Sequence, residues 1–285
     1  MDASQQFHHV ILTRFNCSYS INPKDREIAI RTRPGWLEER FVLFERYCLP
    51  SVLAQSTHDF RWHIYFDRHT PALYLERARS GLAGRSNFII KLCDIYGSET
   101  LQTDLPVDLD STRNWLVTTR LDNDDGLHRD FVKRLHEQVR VASREALNFP
   151  WGIVYRNGAL YLGRQESNSF ISVSEPFKDI RTVTCARHND MGRWFRVRDI
   201  GAGPAWMQVI HGSNVSNKVR GWRVARSKIP SGFEAIVSHD MARESGSDFG
   251  IAVENATLGV GRWVRDQLAD FWREKIAHPL GVTTP

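Results

Sequence analysis

Asp122, Asn123, Asp124 and Asp125 stand side by side at the end of the stretch Trp115 to Gly126, WLVTTRLDNDDG. The residues before them are apolar and β-branched, the composition of a buried strand that delivers its carboxylates to a C-terminal tip. On an extended chain leaving a strand, carboxylates two apart can turn their oxygens toward one point. Hard divalent cations such as Mg²⁺ or Mn²⁺ bind such oxygens, usually with substrate phosphates completing the shell. The cluster therefore reads as a site for a metal-bound phosphate. The competing reading is an Asx-rich turn in which Asp125 or Asn123 caps a helix beginning near Leu127.

Further polar residues fall where strands should end. His8 to Phe15 (HHVILTRF) is a short strand whose end carries Thr13, Arg14 and Asn16, and Phe60 to Asp67 (FRWHIYFD) is a second strand ending in Asp67. Arg120 stands two residues before Asp122, just ahead of the aspartate cluster. His211 follows the apolar run Met207 to Ile210 and opens a Gly-Ser-Asn turn that includes Asn214. The second half adds Ser174-Glu175-Pro176 and His188-Asn189-Asp190-Met191-Gly192, two further places where a carboxylate lies beside a turn. A lone histidine, a capped turn or a surface ion pair accounts equally for each of these residues taken singly.

The elements that must position these groups alternate. Trp36 to Gln55 carries Leu37, Phe41, Phe44, Tyr47, Cys48 and Val52 at helical spacing, with a bend or break expected at Pro50. Pro71 to Gly81 reads as a helix with Pro near its first turn, and Phe88 to Cys93 as a third strand. Ser98 to Thr112 reads as a loop, and His128 to Leu147 as a helix with Phe131, Leu135, Val139 and Ala142 on one face. Strand-helix alternation of this kind predicts an α/β fold with a mostly parallel central sheet flanked by helices. Beyond it, Trp151 to Tyr155, Ala159 to Leu162 and Phe170 to Val173 are short strands with an Asn157-Gly158 turn, which predicts a mixed or antiparallel meander. A final helix is expected from about Thr257 to Ile276, its stripe built from Val260, Val264, Leu268, Phe271 and Trp272. No clear linker appears, so the expectation is one domain, with residues 8–125 forming one half and 126–285 the other.

Composition excludes several classes. With 285 residues, 41% hydrophobic and 25% charged, the chain is long enough for a substantial core, and a net charge of +5 permits an anionic partner without selecting nucleic acid. Four scattered cysteines without CxxC spacing speak against zinc and a disulfide framework. No signal-like segment or bilayer-length apolar run is present, which makes a cytoplasmic protein the expectation and leaves the sequons at Asn16, Asn214 and Asn255 without meaning as glycosylation sites. No glycine stands between the first strand and Gly35, so the GxGxxG turn of a dinucleotide-binding fold is missing, and no P-loop sequence occurs.

The HVILTRFN strand, the WLEERFVLFERYCLPSVLAQ helix, FRWHIYFD, TTRLDNDD and the late VIHGSNVSN, in that order over about residues 8 to 220, resemble the putative rhamnosyltransferase family of bacterial glycosyltransferases, within the GT-A nucleotide-sugar fold. The resemblance implies that Asp122-x-Asp124 is the DxD motif, holding Mn²⁺ or Mg²⁺ against the diphosphate of a nucleotide-sugar donor, with Asp125 as an alternate ligand. It implies His211 as a further ligand to the metal or diphosphate, with Asn214 beside the phosphates. Thr13, Arg14, Asn16 and Asp67 would line the base and ribose, and Arg120 would face the phosphates. The sugar would be rhamnose or another hexose, and the acceptor a saccharide or lipid-linked molecule. An inverting reaction would need a carboxylate base from the second half, Asp190 first and Glu175 second. The terminal helix, with Trp263 and Arg262, Arg265 and Arg273, would rest on an anionic membrane face or pack onto its own domain. Two other functions remain open: a metal-dependent phosphohydrolase or nucleotidyltransferase, since clustered aspartates also serve phosphate esters, and a non-catalytic carbohydrate-binding protein.

Overall fold

The computed structural model describes residues 6–19, 31, 33–109, 113–211, 219, 221–237, 249–257 and 259. Apolar runs form β1 (Phe7–Arg14), β2 (Arg61–Asp67) and β4 (Trp115–Arg120), buried on both faces, and the half-buried β3 (Phe88–Cys93). All four are parallel, in the order β3-β2-β1-β4. Their connections carry α1 (Trp36–Leu43), α2 (Leu49–Leu53), α3 (Ala72–Gly81) and α4 (Ser98–Asp108). The same sheet then extends through β6 (Glu145–Asn148), β9 (Ser172–Pro176) and β10 (Arg196–Asp199), with β9 antiparallel to both β4 and β6. One face packs Phe41, Phe44, Val52, Trp62 and Phe131 against the strands, and the other packs Tyr65, Tyr96, Leu101, Leu105 and Val183. The molecule is thus a mostly parallel α/β sheet flanked by helices, as the sequence predicts.

A second sheet stands beside the first. It contains β5 (Gly126–Leu127), β7 (Trp151–Arg156), β8 (Ala159–Arg164), β11 (Trp206–Ile210) and β12 (Trp222–Val224), in the order β12-β8-β7-β11-β5. All of its neighbours are antiparallel except β7 and β11. Asn157 and Gly158 both take positive φ, 47° and 81°, so the β7–β8 hairpin uses the turn that matches strand twist. The helical segment 36–53 lies between the sheets: Phe41 and Phe44 pack on the first, while Tyr47 joins Ile153, Met207 and Val209 of the second.

Four sequence expectations change. The segment from Trp36 runs to Leu53 without breaking at Pro50, which sits in the first turn of α2. The irregularity is a π turn at Phe44–Cys48, just before it, where the wider register makes room for a ring that cannot donate to the preceding turn. Ser98 to Asp108 is helical rather than a loop; only Leu101 and Leu105 face inward, too thin a stripe to register over Pro106 and the aspartates. The helix expected over 128–147 is confined to α5 (Phe131–His136), and the chain turns at Ala142, φ 155°, to enter β6. The third strand of the expected meander, β9, instead crosses back to pair with β4.

The terminal helix with its proposed membrane face lies outside the described residues beyond Thr257 and Gly259, as does Asn214. No helix among the described residues is long and apolar enough to cross a membrane.

Candidate active site

The aspartate cluster forms a tight turn because its backbone is held at both ends. Leu121 is fully buried and donates its amide to Leu12 O, continuing the β4–β1 pairing past Arg120. Asn123 Nδ2 donates to Phe15 O at 2.9 Å, and Asp125 N reaches Asp122 O at 3.3 Å. Gly126 lets the helical segment approach closely: a Cβ there would stand 2.7 Å from Ile236 Cδ1 and 3.3 Å from Tyr47 O, so the Ile236 side chain would have to shift and the segment to yield slightly.

Each aspartate has a different partner. Asp122 takes a two-pronged bond from Arg120, with Nη2 2.9 Å from Oδ2 and Nε 3.1 Å from Oδ1. The charge on Asp122 holds the Arg120 guanidinium above its ordinary pKa despite burial. Asp124 Oδ2 receives Arg40 Nη1 at 2.6 Å and lies 2.8 Å from His211 Nε2. Burial pushes the Asp124 carboxyl upward, but the His211 hydrogen bond and the charge of Arg40 outweigh it and leave the pKa lowered. Asp125 Oδ1 accepts the amide of Val209 in β11 at 2.9 Å. Burial first, then the charges of Asp124 and Asp122, raise its pKa well above the ordinary carboxylate range.

The arrangement joins the two sheets at one atom. Asp124 leaves β4 of the first sheet and His211 leaves β11 of the second, and both arrive at the same carboxylate oxygen. A carboxylate and an imidazole so placed are donors of the type that Mn²⁺ accepts. Among the described residues no group of three or more His, Cys, Asp or Glu side chains converges, so a cation here would draw the rest of its shell from phosphate and water. Within those limits the residues present fit a divalent cation.

The expected nucleotide edge is partly structural. Thr13 is fully buried and accepts the Trp62 indole N–H at 2.9 Å, so it faces the core and not a ligand. Asn16 ties two loops together, donating to Thr70 Oγ1 and accepting the amide of Asp67, both at 2.9 Å. Asp67 ends β2 with Oδ1 on the His69 amide and Oδ2 3.1 Å from Arg31 Nη2, and it remains at the strand edge expected of it. Arg14 lies at the same edge, its guanidinium 3.8 Å from the Tyr19 ring centroid, with Nη1 donating to Cys17 O.

The two candidate bases fare differently from the cluster. Glu175 pairs in register with Leu116, at the opposite end of β4 from Asp122, about 20 Å away at strand rise. It is fully buried, and its oxygens accept the amides of Arg181 and Thr182 at 2.9 and 2.7 Å. These contacts make Glu175 a loop anchor, which corrects its assignment as a base. Asp190 lies in the 3-10 turn His188–Arg193, with its amide on Arg187 O and its carboxylate 3.6 Å from Arg193 Nε. Its partners among the described residues are local, and none of them belongs to the aspartate cluster.

Arg40, whose guanidinium reaches both Asp124 and His211, is not among the residues the sequence singles out. It lies three residues after Leu37 and four before Phe44, on the inward stripe of an amphipathic helix, and a charge on that stripe was the signal.

The family model described as putative rhamnosyl transferase matches residues 8–223. No curated protein matches. Among solved structures, S. aureus TarS 1-349 in complex with UDP-GlcNAc is 10% identical, with a TM-score of 0.44 over 73% of this chain and 60% of that one. A putative nucleotide-diphospho-sugar transferase from Desulfovibrio desulfuricans G20 is 13% identical, with a TM-score of 0.40 over 84% of this chain and 99% of that one. The inositol-1-phosphate CTP transferase from T. maritima is 10% identical, with a TM-score of 0.38 over 71% and 89%. This chain therefore spans less than two thirds of the TarS fragment. With most of its length matched by the family model, the chain belongs to the putative rhamnosyl transferase family.

Proposed function

We propose that the protein is a metal-dependent glycosyltransferase that moves a hexose, rhamnose among the candidates, from a nucleoside-diphosphate sugar to a saccharide or lipid-linked acceptor. The observation that carries this reading is the 2.8 Å approach of His211 Nε2 to Asp124 Oδ2 at the C-terminal end of parallel strands, where ligands of open α/β sheets bind. Asp124 and His211 would hold Mn²⁺ or Mg²⁺, with Asp122 at the margin of the same turn. The cation, when bound, neutralises charge on the leaving diphosphate.

The chain's own groups do the rest. Arg120, kept protonated by Asp122, stands one residue from the cluster as a fixed positive charge where negative charge develops on the leaving group. Asp67 and Arg14, at the tips of β2 and β1, would meet ribose and base. Asn214 is proposed for the phosphates, following His211 in sequence. Asp190 is the remaining candidate to take the proton of the acceptor hydroxyl should the reaction invert.

The test is to incubate the protein with Mn²⁺ and a panel of nucleoside-diphosphate sugars, following nucleoside diphosphate release with and without saccharide acceptors. Asp124→Ala is expected to abolish release and metal-dependent nucleotide binding while the far-UV circular dichroism stays that of the wild type. Undiminished turnover in Asp124→Ala would remove the metal from this turn. Release of inorganic phosphate or pyrophosphate in place of nucleoside diphosphate would favour a phosphohydrolase or nucleotidyltransferase.

A further inference from the structure

Three consecutive charged residues of α1 behave differently. Glu38 accepts from Arg77 and Glu39 pairs with Arg33, both at the exposed surface. Arg40 turns inward instead, its side chain 13% exposed and its guanidinium carbon 5.5 Å from the Trp36 ring centroid. Nη1 lies 2.6 Å from Asp124 Oδ2 and 3.4 Å from His211 Nε2. The side-chain hydrogen bonds of Arg40 to described residues run through Nη1, and Nε and Nη2 make none to those residues.

The contacts at Asp124 Oδ2 set up a competition. A carboxylate oxygen has two lone pairs in its plane, and Arg40 and His211 both come within bonding distance of this one oxygen. A cation bound to that oxygen must displace one of them. Imidazole can stay as a ligand, but a guanidinium is permanently protonated and cannot coordinate a cation, so Arg40 must leave. Once displaced, a cation with so little exposure needs another anion close by, because an unpaired charge is costly out of water. The diphosphate of a donor arriving with the metal is such an anion, and guanidinium binds phosphate oxygens in two-pronged fashion.

We propose that Arg40 exchanges partners: it covers Asp124 in the donor-free enzyme, competes with the divalent cation for that carboxylate, and pairs with the donor diphosphate once the cation is in place. With Asp124, a divalent cation and a doubly charged diphosphate, Arg40 completes a neutral group. The inference rests on the donor reading above and goes beyond it by giving one helix residue opposite effects on the two ligands. Loss of Arg40 strengthens the metal and weakens the diphosphate.

Isothermal titration calorimetry on the wild type, Arg40→Met and Arg40→Lys measures both effects without turnover. Mn²⁺ is titrated alone, and UDP, GDP and dTDP are then titrated in saturating Mn²⁺. Methionine keeps an unbranched stem against Trp36, and unchanged circular dichroism confirms the fold. Arg40→Met is expected to bind Mn²⁺ about three- to tenfold tighter, the strength of one partly buried ion pair. It is expected to bind the nucleoside diphosphate about ten- to a hundredfold weaker, the loss of a charge-assisted hydrogen bond. Arg40→Lys should recover part of the nucleotide affinity.

Equal nucleotide affinity in wild type and Arg40→Met overturns the exchange and leaves the donor reading standing. Parallel weakening of Mn²⁺ and nucleotide also overturns it, since Arg40 would then merely position Asp124. A wild type that binds none of the three nucleotides with Mn²⁺ sinks the donor reading and the exchange with it.

Discussion

Asp125 and Asp124 are neighbours in sequence with separate duties. Asp125 holds the buried Val209 amide with a carboxyl whose pKa is raised, so an amide side chain can take its place as acceptor. Asp125→Asn is expected to leave stability within about 1 kcal/mol of wild type, and Asp125→Ala to lose about 1–3 kcal/mol by stranding that amide; urea unfolding distinguishes them. A second buried network yields a pH prediction. His9 Nδ1 lies 2.9 Å from His136 Nε2, and His9 Nε2 lies 2.9 Å from Thr119 Oγ1. Burial lowers the pKa of both histidines, that of His136 to about 4, with the positive His136 ring further lowering His9. The unfolded chain, with histidine pKa near 6.5, takes up protons that the folded one refuses. Stability is therefore fully present above about pH 6.5 and falls as the pH drops toward 4. Urea titrations at pH 7.5 and pH 5 should show a loss to which His136 alone contributes about 2 kcal/mol, a share that disappears in His136→Gln. At this scale the sequence announces which residue types gather, because Asp-x-Asp-Asp after a β-branched run is a local pattern. It does not announce that Thr13 turns inward to Trp62 or that Glu175 spends its oxygens on two backbone amides, because those choices are made by residues distant in the chain.

Elements carry the site by fixing how closely they approach. Gly152 of β7 stands opposite Trp206 of β11, and a Cβ there would come 2.2 Å from the indole. That indole is stacked 4.8 Å from Phe170 and donates to Phe149 O, so it has no free direction in which to move. Gly152→Ala is expected to cost about 1–3 kcal/mol by overpacking and, because β11 leads directly into His211, to weaken Mn²⁺-dependent nucleotide binding as well. Calorimetry at a temperature where the variant stays folded separates the two losses. Glu175→Ala should behave in the opposite way, losing about 1–3 kcal/mol with turnover per folded molecule unchanged, because its carboxylate anchors a loop at the far end of β4. β1, β2 and β4 are legible because burial on both faces demands apolar runs. The helix at Ser98–Asp108 is not, since only two of its residues face inward.

At the scale of the whole molecule, the site is a junction. Asp124 belongs to the first sheet, His211 to the second, and Arg40 to the helical segment wedged between them, so three separate packing units meet at one carboxylate. The strand alternation makes the α/β class legible, but the return of β9 to pair with β4 depends on contacts such as Thr119 Oγ1 to Ser172 Oγ at 2.6 Å that no local pattern encodes. A ligand that bridges such a junction stabilises all its parts together. Nucleoside diphosphate with Mn²⁺ at a hundredfold its dissociation constant should add about 2.7 kcal/mol to the unfolding free energy of the wild type. The gain is expected to vanish in Asp124→Ala and in His211→Ala, each of which removes one side of the junction. Hydrogen exchange places the effect: amides of β11, 206–210, and of α1, 36–43, should slow together when both ligands are present. Protection confined to the first sheet would mean that the donor touches only that side, and His211 would then have no part in holding it.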